Sequence, residues 1–211
     1  AGGTPSGSTA AAVQELRRAA TRAGAEILVA VQRRRLVAIL GGPPDPTSAV
    51  QSLAPFFGDG PIVVGPTVPH LFAAGRSARA ALSGLAAAPA WPQAPRPVAA
   101  DELLPERVLV GDARAHRQLV DRIFGPLADS PVLLDTATAY LDTPGLEAAA
   151  RVLFVHPNTV RYRLGRIAER TGYDLTHPRD AYAVRLALAL GHLAATGLPG
   201  QESRTTIPGD D

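Results

Sequence analysis

Leu153-Phe154-Val155-His156-Pro157-Asn158-Thr159-Val160-Arg161-Tyr162-Arg163-Leu164 is the stretch whose reading decides the fold. Val155-His156 is a tight connection. Pro157, lacking an N–H that a first helical turn would leave unpaired, opens a helix with His156 as its N-cap. Val160, Leu164 and Ile167 recur at i, i+4 and i+7 and must be core. Left outside are Asn158, Thr159, Arg161, Tyr162, Gly165 and Arg166, with Arg163 at the flank, and Gly172 stops the helix. The predicted helix therefore runs from Pro157 to Thr171. Just upstream, Leu146, Ala149, Ala150 and Leu153 mark a short helix with small residues on its packing face. Ala149 and Ala150 let the two helices approach, and Val155 plugs the turn between them. This is a helix–turn–helix written in packing chemistry.

The exposed side of that second helix has the chemistry of a DNA reader. Asn and Arg can make bidentate bonds to purine edges in the major groove, and Thr can bond either way. A helix N-terminus also attracts phosphate. His156, Asn158, Thr159, Arg161 and Tyr162 fall where the N-terminus meets base edges. Arg166 and Arg170 lie further along, where phosphates come into reach. Arg163 completes the DNA-binding set, although its stem borders the core stripe. The charge distribution agrees. There is no lysine, and Arg151 to Arg170 holds five arginines against one acid, Glu169, a net of +4. The whole chain is only +2, so the positive field is concentrated where the helix–turn–helix is expected.

The neighbouring segments are helical too. Ser130-Pro131 starts a helix reaching Asp142, with Leu134, Ala137 and Leu141 inward, and Pro144-Gly145 breaks it. Thr176 to Asp180 starts a last helix that is nearly apolar all round, through Val184, Leu186, Ala187, Leu188, Leu190 and Leu193. Such a helix must be buried on more than one side, as the central post of a small domain or as a dimer seam.

The first half reads differently. Val13 to Ala25 has helical spacing. Ile27 to Val31 and Leu36 to Leu40 are apolar runs joined by Gln32-Arg33-Arg34-Arg35, a hairpin with largely buried strands. Gly41-Gly42-Pro43-Pro44-Asp45-Pro46 breaks the chain, and Thr47 caps a helix to Phe56. Pro61 to Gly65 is a short strand, and His70 to Ala87 is a helix with Leu71, Ala74, Ala78, Leu82 and Leu85 on one stripe. A Pro-rich connection carrying Trp91 leads to an edge strand at Val98 to Ala100. Asp112 to Leu127 is a further helix with Leu119, Ile123 and Phe124 inward. The expected organisation is a disordered tail (1–12), an α+β domain with a small mixed sheet (13–128), an all-α helix–turn–helix domain (129–197) and a second disordered tail (198–211).

Composition removes several alternatives. The chain has 211 residues, 46% hydrophobic, enough for one large or two small domains. No cysteine means no disulfide scaffold, thiolate zinc site or catalytic thiol. The five histidines are dispersed, so no metal site is expected. No apolar run approaches the roughly 18–20 residues that cross a bilayer, and no secretion signal opens the chain, so a cytoplasmic protein without a membrane partner is expected. With no methionine even at position 1, the chain reads as a processed or cut piece. No nucleophile elbow, Walker loop or zincin motif occurs, so neither a catalytic residue nor a cofactor is assigned. Asp101-Glu102 and Arg33-Arg34-Arg35 read as solvated charge, and Trp91 as a cover over the sheet.

The quoted stretch resembles the helix–turn–helix of the PucR/CdaR transcriptional regulators, whose hallmark is a His-x-Asn-Thr-x-x-Tyr-Arg run. The flanks agree, from Leu134 to Leu141 before it and Gly172-Tyr173-Asp174-Leu175-Thr176-His177-Pro178 after it. The first half resembles the degenerate GGDEF-like domain that precedes this module in CdaR-type members, including Gly75-Arg76-Ser77-Ala78-Arg79-Ala80-Ala81-Leu82 on its later helix. The resemblance implies a regulator that binds double-stranded DNA and responds to a small-molecule effector through other domains; a homodimer is expected because one helix–turn–helix reads only a few base pairs. Gly41-Gly42-Pro43-Pro44-Asp45 has one acid and intervening prolines where a cyclase needs an intact signature with metal-holding carboxylates, so no enzyme is expected. The alternatives are a GGDEF-like dimerisation or relay module and a residual nucleotide-binding enzyme.

Overall fold

The computed structural model describes residues 1–3, 9–32, 35–42 and 46–196. Its contacts divide the chain into two compact units, Ala1–His116 and Arg117–Asp211. The fold class is the one expected: the first unit is α+β and the second helical. The division falls earlier than the 128/129 boundary read from the sequence. Arg33, Arg34, Pro43, Pro44, Asp45 and the C-terminal segment from Gly197 onward lie outside the described residues.

In the first unit, β2 (Glu26–Gln32) and β3 (Arg35–Gly41) form the expected antiparallel hairpin, with Ile27 opposite Leu40 and Leu28 opposite Ile39. Only one face is covered. Leu36 is buried with Leu16, Ala19 and Ala20 of α1 (Thr9–Arg22) and Leu53 of α2 (Pro46–Leu53), and Ile27, Val29 and Leu40 pack against them. Leu28 and Ile39, on the opposite face, are 64% and 37% exposed. The strands are thus half-buried rather than largely buried, because helices cover a single side. Of the expected tail 1–12, residues 4–8 lie outside the described residues. Gly2–Gly3 is a strand, β1, pairing with Leu36 and Arg35 of β3, and α1 is already helical at Thr9. A two-residue strand has no local signal; its pairing alone defines it.

Gly2 also bridges Ile62, and the Val63 N–H donates to the Ala1 carbonyl at 2.9 Å, tying β1 to β4 (Val63–Val64). β4 runs parallel to β5 (Val98–Ala99), with α3 (Ala74–Ala87) in the crossover between them. Val63, Ala80, Val98 and Leu103 are buried together, with Trp91 packed against them. Leu71 does not join the α3 stripe: it sits in a 3₁₀ turn and is 77% exposed. α4 (Leu104–Leu109) was not expected. It buries Glu106 and Arg107, so its polarity hides it from a hydrophobic-pattern reading. Arg107 donates from Nε and Nη2 to one Asp112 oxygen at 3.0 and 2.9 Å, and from Nη1 to the Ala100 carbonyl at 3.0 Å. Asp101 approaches the same guanidinium at 4.0 Å, and Glu102 accepts from the Ala99 N–H at 3.3 Å. Asp101 is thus half-buried beside a structural arginine, while Glu102 is exposed, as expected of solvated charge.

The second Asp112 oxygen accepts from the Arg114 and Ala115 N–H groups, capping α5 (Ala113–Leu119). Burial pushes this carboxyl upward. Bonds from Ser83, the Ala115 N–H and Arg107 outweigh that and hold it at about 2, below the ordinary 3.8. The unfolded chain then takes up the proton first, so the stability Asp112 gives is complete above about pH 4 and is lost as pH falls toward 2.

After the end of α5, the second unit continues as a π-helical turn, Val120–Phe124, followed by α6 (Gly125–Ala128), instead of one regular helix to Leu127. Pro126 explains the break, since it has no N–H to offer the carbonyl four residues back and its ring crowds that carbonyl. α7 (Pro131–Asp142), α8 (Leu146–Val152), α9 (Pro157–Thr171) and α10 (Pro178–Ala195) follow. Ser130 precedes α7 without a side-chain cap bond; its carbonyl accepts from the Leu133 and Leu134 N–H groups. α10 packs on the π turn and on α7 through Ala183, Val184, Ala187 and Leu188, while Leu193 is half-exposed. At Gly191 the Phe124 ring occupies the space of a β-carbon.

Two sets of melts test this packing. Gly191→Ala should destabilise the second unit by roughly 1–3 kcal/mol by overpacking, although alanine favours helix. Gly165→Ala, whose β-carbon would meet nothing within 4 Å, should instead stabilise it by about 0.5–1 kcal/mol. In the first unit, Asp112→Ala should cost about 3 kcal/mol at neutral pH by stranding a buried arginine. It should also flatten the acid-dependent loss between pH 4 and 2, read from the fluorescence of Trp91, the single tryptophan.

Candidate nucleic-acid interface

The turn between α8 and α9 is closed by backbone bonds. The Val155 N–H donates to the Ala150 carbonyl at 3.0 Å and the Phe154 N–H to the Arg151 carbonyl at 3.3 Å. Ala149 and Ala150 are buried, as expected of residues that let α9 come close. His156 is extended (φ −69°, ψ 145°) and its Nδ1 accepts from the Asn158 N–H at 3.2 Å, so it is the N-cap. With Nδ1 accepting, the ring proton sits on Nε2, leaving a donor. At the other end Gly172 adopts φ +77°, the left-handed conformation that closes a helix, and its N–H donates to the Ala168 carbonyl.

Between these caps the helix has two faces. Val160, Leu164 and Ile167 are buried against α7 and α8. His156, Asn158, Arg161, Tyr162, Gly165, Arg166 and Arg170 are exposed, and Thr159 is half-buried. Every residue of the DNA-binding set therefore lies on α9 or its cap, and all but Thr159 and Arg163 are open to solvent. The arginines are already oriented. Arg161 donates to Asn158 Oδ1 at 2.6 Å, which fixes that amide with its NH₂ group free to donate. Arg166 pairs with Glu169 at 2.6 Å, and Arg170 reaches the Pro126 carbonyl at 3.5 Å. Arg163 is different. It is half-buried and donates to the Thr136 hydroxyl of α7 at 3.3 Å, while that hydroxyl donates to the Val132 carbonyl. Thr136 is fully buried, and no sequence signal marks it.

Sequence reasoning also missed the exposure of Phe154 and Val152, and the clamp between α10 and α7. There Arg185 donates to Asp142 at 2.8 Å and to the Leu141 carbonyl. In the connector after α9, the Thr176 hydroxyl and N–H hold the Asp174 carboxyl below its ordinary range. No group of three or more metal-ligating side chains lies among the described residues, and no described helix is long and apolar enough to cross a membrane.

The two arginines that face opposite duties separate by stability. Arg163→Ala should lower the stability of the second unit by about 1 kcal/mol, because the buried Thr136 oxygen loses its donor while keeping its own bond to the Val132 carbonyl. Arg161→Ala should change it by less than about 0.5 kcal/mol in the same thermal melt.

The comparisons with known proteins agree with this geometry. Residues 133–190 match the PucR C-terminal helix–turn–helix domain, and residues 1–87 match the GGDEF-like domain. The second match includes β1. Uncharacterized proteins of Mycobacterium bovis and Mycobacterium tuberculosis are each 50% identical over 195 residues, covering 91% of this chain and 47% of the relative. The chain thus spans about half the length of the curated relatives it matches. The crystal structure of a regulator of polyketide synthase expression from Bifidobacterium adolescentis aligns with a TM-score of 0.79 at 36% identity, over 91% of this chain and 78% of that one. The matched helix–turn–helix domain contains α9 and the turn before it. The chain belongs to the PucR family, with a GGDEF-like domain ahead of the PucR C-terminal helix–turn–helix domain.

Proposed function

We propose that this chain is the sequence-specific, double-stranded-DNA-binding part of a cytoplasmic transcriptional regulator. α9 enters the major groove, and the chain works as a homodimer that answers an effector sensed by other domains. The observation that carries the reading is the split of α9 into a buried stripe and an exposed polar face beginning at its N-cap. His156, Asn158, Thr159, Arg161 and Tyr162 meet base edges, while Arg166 and Arg170 meet phosphate. Arg163 approaches DNA from the flank while its bond to Thr136 steadies the helix. One helix–turn–helix reads too few base pairs for useful discrimination, and two copies about 34 Å apart on one side of the duplex supply the rest. The GGDEF-like unit relays or dimerises without nucleotide turnover, since Asp45 is the one acid following Gly41-Gly42 in that stretch.

Fluorescence anisotropy on a duplex enriched from a randomised pool, and on its scrambled version, at two salt concentrations tests the division of labour. Arg161→Ala should cost about 1–3 kcal/mol on the enriched duplex and little on the scrambled one. Arg166→Ala should weaken both alike and reduce the salt slope by about 1. The opposite pattern would reverse the docking orientation, and metal-dependent product from GTP would overturn the non-catalytic reading.

A further inference from the structure

Phe154 breaks two rules at once. Its φ is +54°, and it is the one non-glycine residue with positive φ among the described residues. In that left-handed conformation the β-carbon of an L-residue crowds the carbonyl, so glycine is the usual occupant. The position is also where glycine is most favoured, directly after the residue that caps α8, Leu153. The residue is 95% exposed. A large aromatic side chain is normally retained for the area it buries, and here it buries almost none. Neither local conformation nor packing accounts for phenylalanine at this place, and an observed outlier of this kind points to function.

The surroundings say what the ring meets. Two backbone bonds hold the turn: the Phe154 N–H donates to the Arg151 carbonyl and the Val155 N–H to the Ala150 carbonyl. Phe154 stands two residues before the N-cap His156, at the end of α9 where Asn158 and Arg161 are exposed. The segment Arg151 to Arg170 has a net charge of +4, so the partner on this side is a polyanion and not an apolar surface. The apolar group that a duplex offers in its major groove is the C5-methyl of thymine.

We propose that Phe154 is a specificity-determining residue whose ring packs on a thymine methyl beside the bases read by α9. The assignment rests on the DNA-binding reading above. It also explains the backbone: the left-handed turn carries the ring outward, away from the α7–α8–α9 core.

The test uses the full chain and Phe154→Gly. The probes are the duplex that the wild-type chain enriches from a randomised pool, a scrambled duplex, and copies of the enriched duplex in which single thymines are replaced by deoxyuridine. Because glycine suits φ +54° and the ring packs on nothing in the free chain, Phe154→Gly should keep or raise the melting temperature of the second unit. It should weaken binding to the enriched duplex by about tenfold and leave the scrambled duplex unchanged. One deoxyuridine replacement should weaken the wild-type chain by about fourfold and have no effect on Phe154→Gly. A lower melting temperature would make the ring structural and overturn the assignment. So would unchanged affinity, an equal loss on both duplexes, or indifference of the wild-type chain to every methyl. If the wild-type chain enriches no duplex at all, the DNA-binding reading falls with it. A wild-type chain that discriminates while Phe154→Gly matches it sinks the Phe154 assignment alone.

Discussion

The burial of Val160, Leu164 and Ile167 against α7 and α8 is the constraint on which the rest of the second unit depends. Each such side chain contributes about 1.5–3 kcal/mol when taken out of water, against roughly 0–1 kcal/mol for an exposed ion pair such as Arg166–Glu169. Apolar burial therefore fixes the rotation of α9 about its axis, and charge does not. Once that stripe is inward, the helical period forces Asn158, Arg161, Tyr162 and Gly165 outward. Ala149 and Ala150 complete the arrangement by allowing α8 to approach, and Ala137 does the same on α7.

The exposed face is organised before any partner arrives. Arg161 is bonded to Asn158, Arg166 to Glu169 and Arg170 to a backbone carbonyl. All three are exposed arrangements, cheap to exchange for a phosphate or a base edge. The buried polar elements are of another kind. Arg107 bonds Asp112 and the Ala100 carbonyl inside the first unit, and buried Thr136 takes a bond from half-buried Arg163 in the second, so these contacts hold structure.

What was legible in the sequence follows the strength of local signals. The caps of α9, its core stripe, the starts of α7 and α10 at Pro131 and Pro178, and the existence of the β2–β3 hairpin, though not its register, all rest on periodicity or on proline and glycine placement. The failures share a cause, namely that tertiary contacts decide them. Gly2–Gly3 is a strand because Leu36 and Ile62 lie beside it. Leu28 is exposed because no described helix of its unit covers that face, and Glu106 and Arg107 of α4 are buried although charged residues read as surface. On α9, spacing alone separates the exposed polar face from the buried stripe, but the bond that holds Arg163 needed Thr136, a residue 27 positions away. The left-handed backbone of Phe154 has no signature in a stretch that otherwise reads as an ordinary turn.

Chemical protection of bound DNA tests the central claim, the placement of α9 in the major groove, most directly. Dimethyl sulfate methylates guanine N7 in the major groove and adenine N3 in the minor groove of the same duplex. The account predicts that the full chain shields guanine N7 in two tracts whose centres lie about one helical turn apart, with adenine N3 left reactive. Shielding of adenine N3 alone, or binding that shields neither, would contradict it.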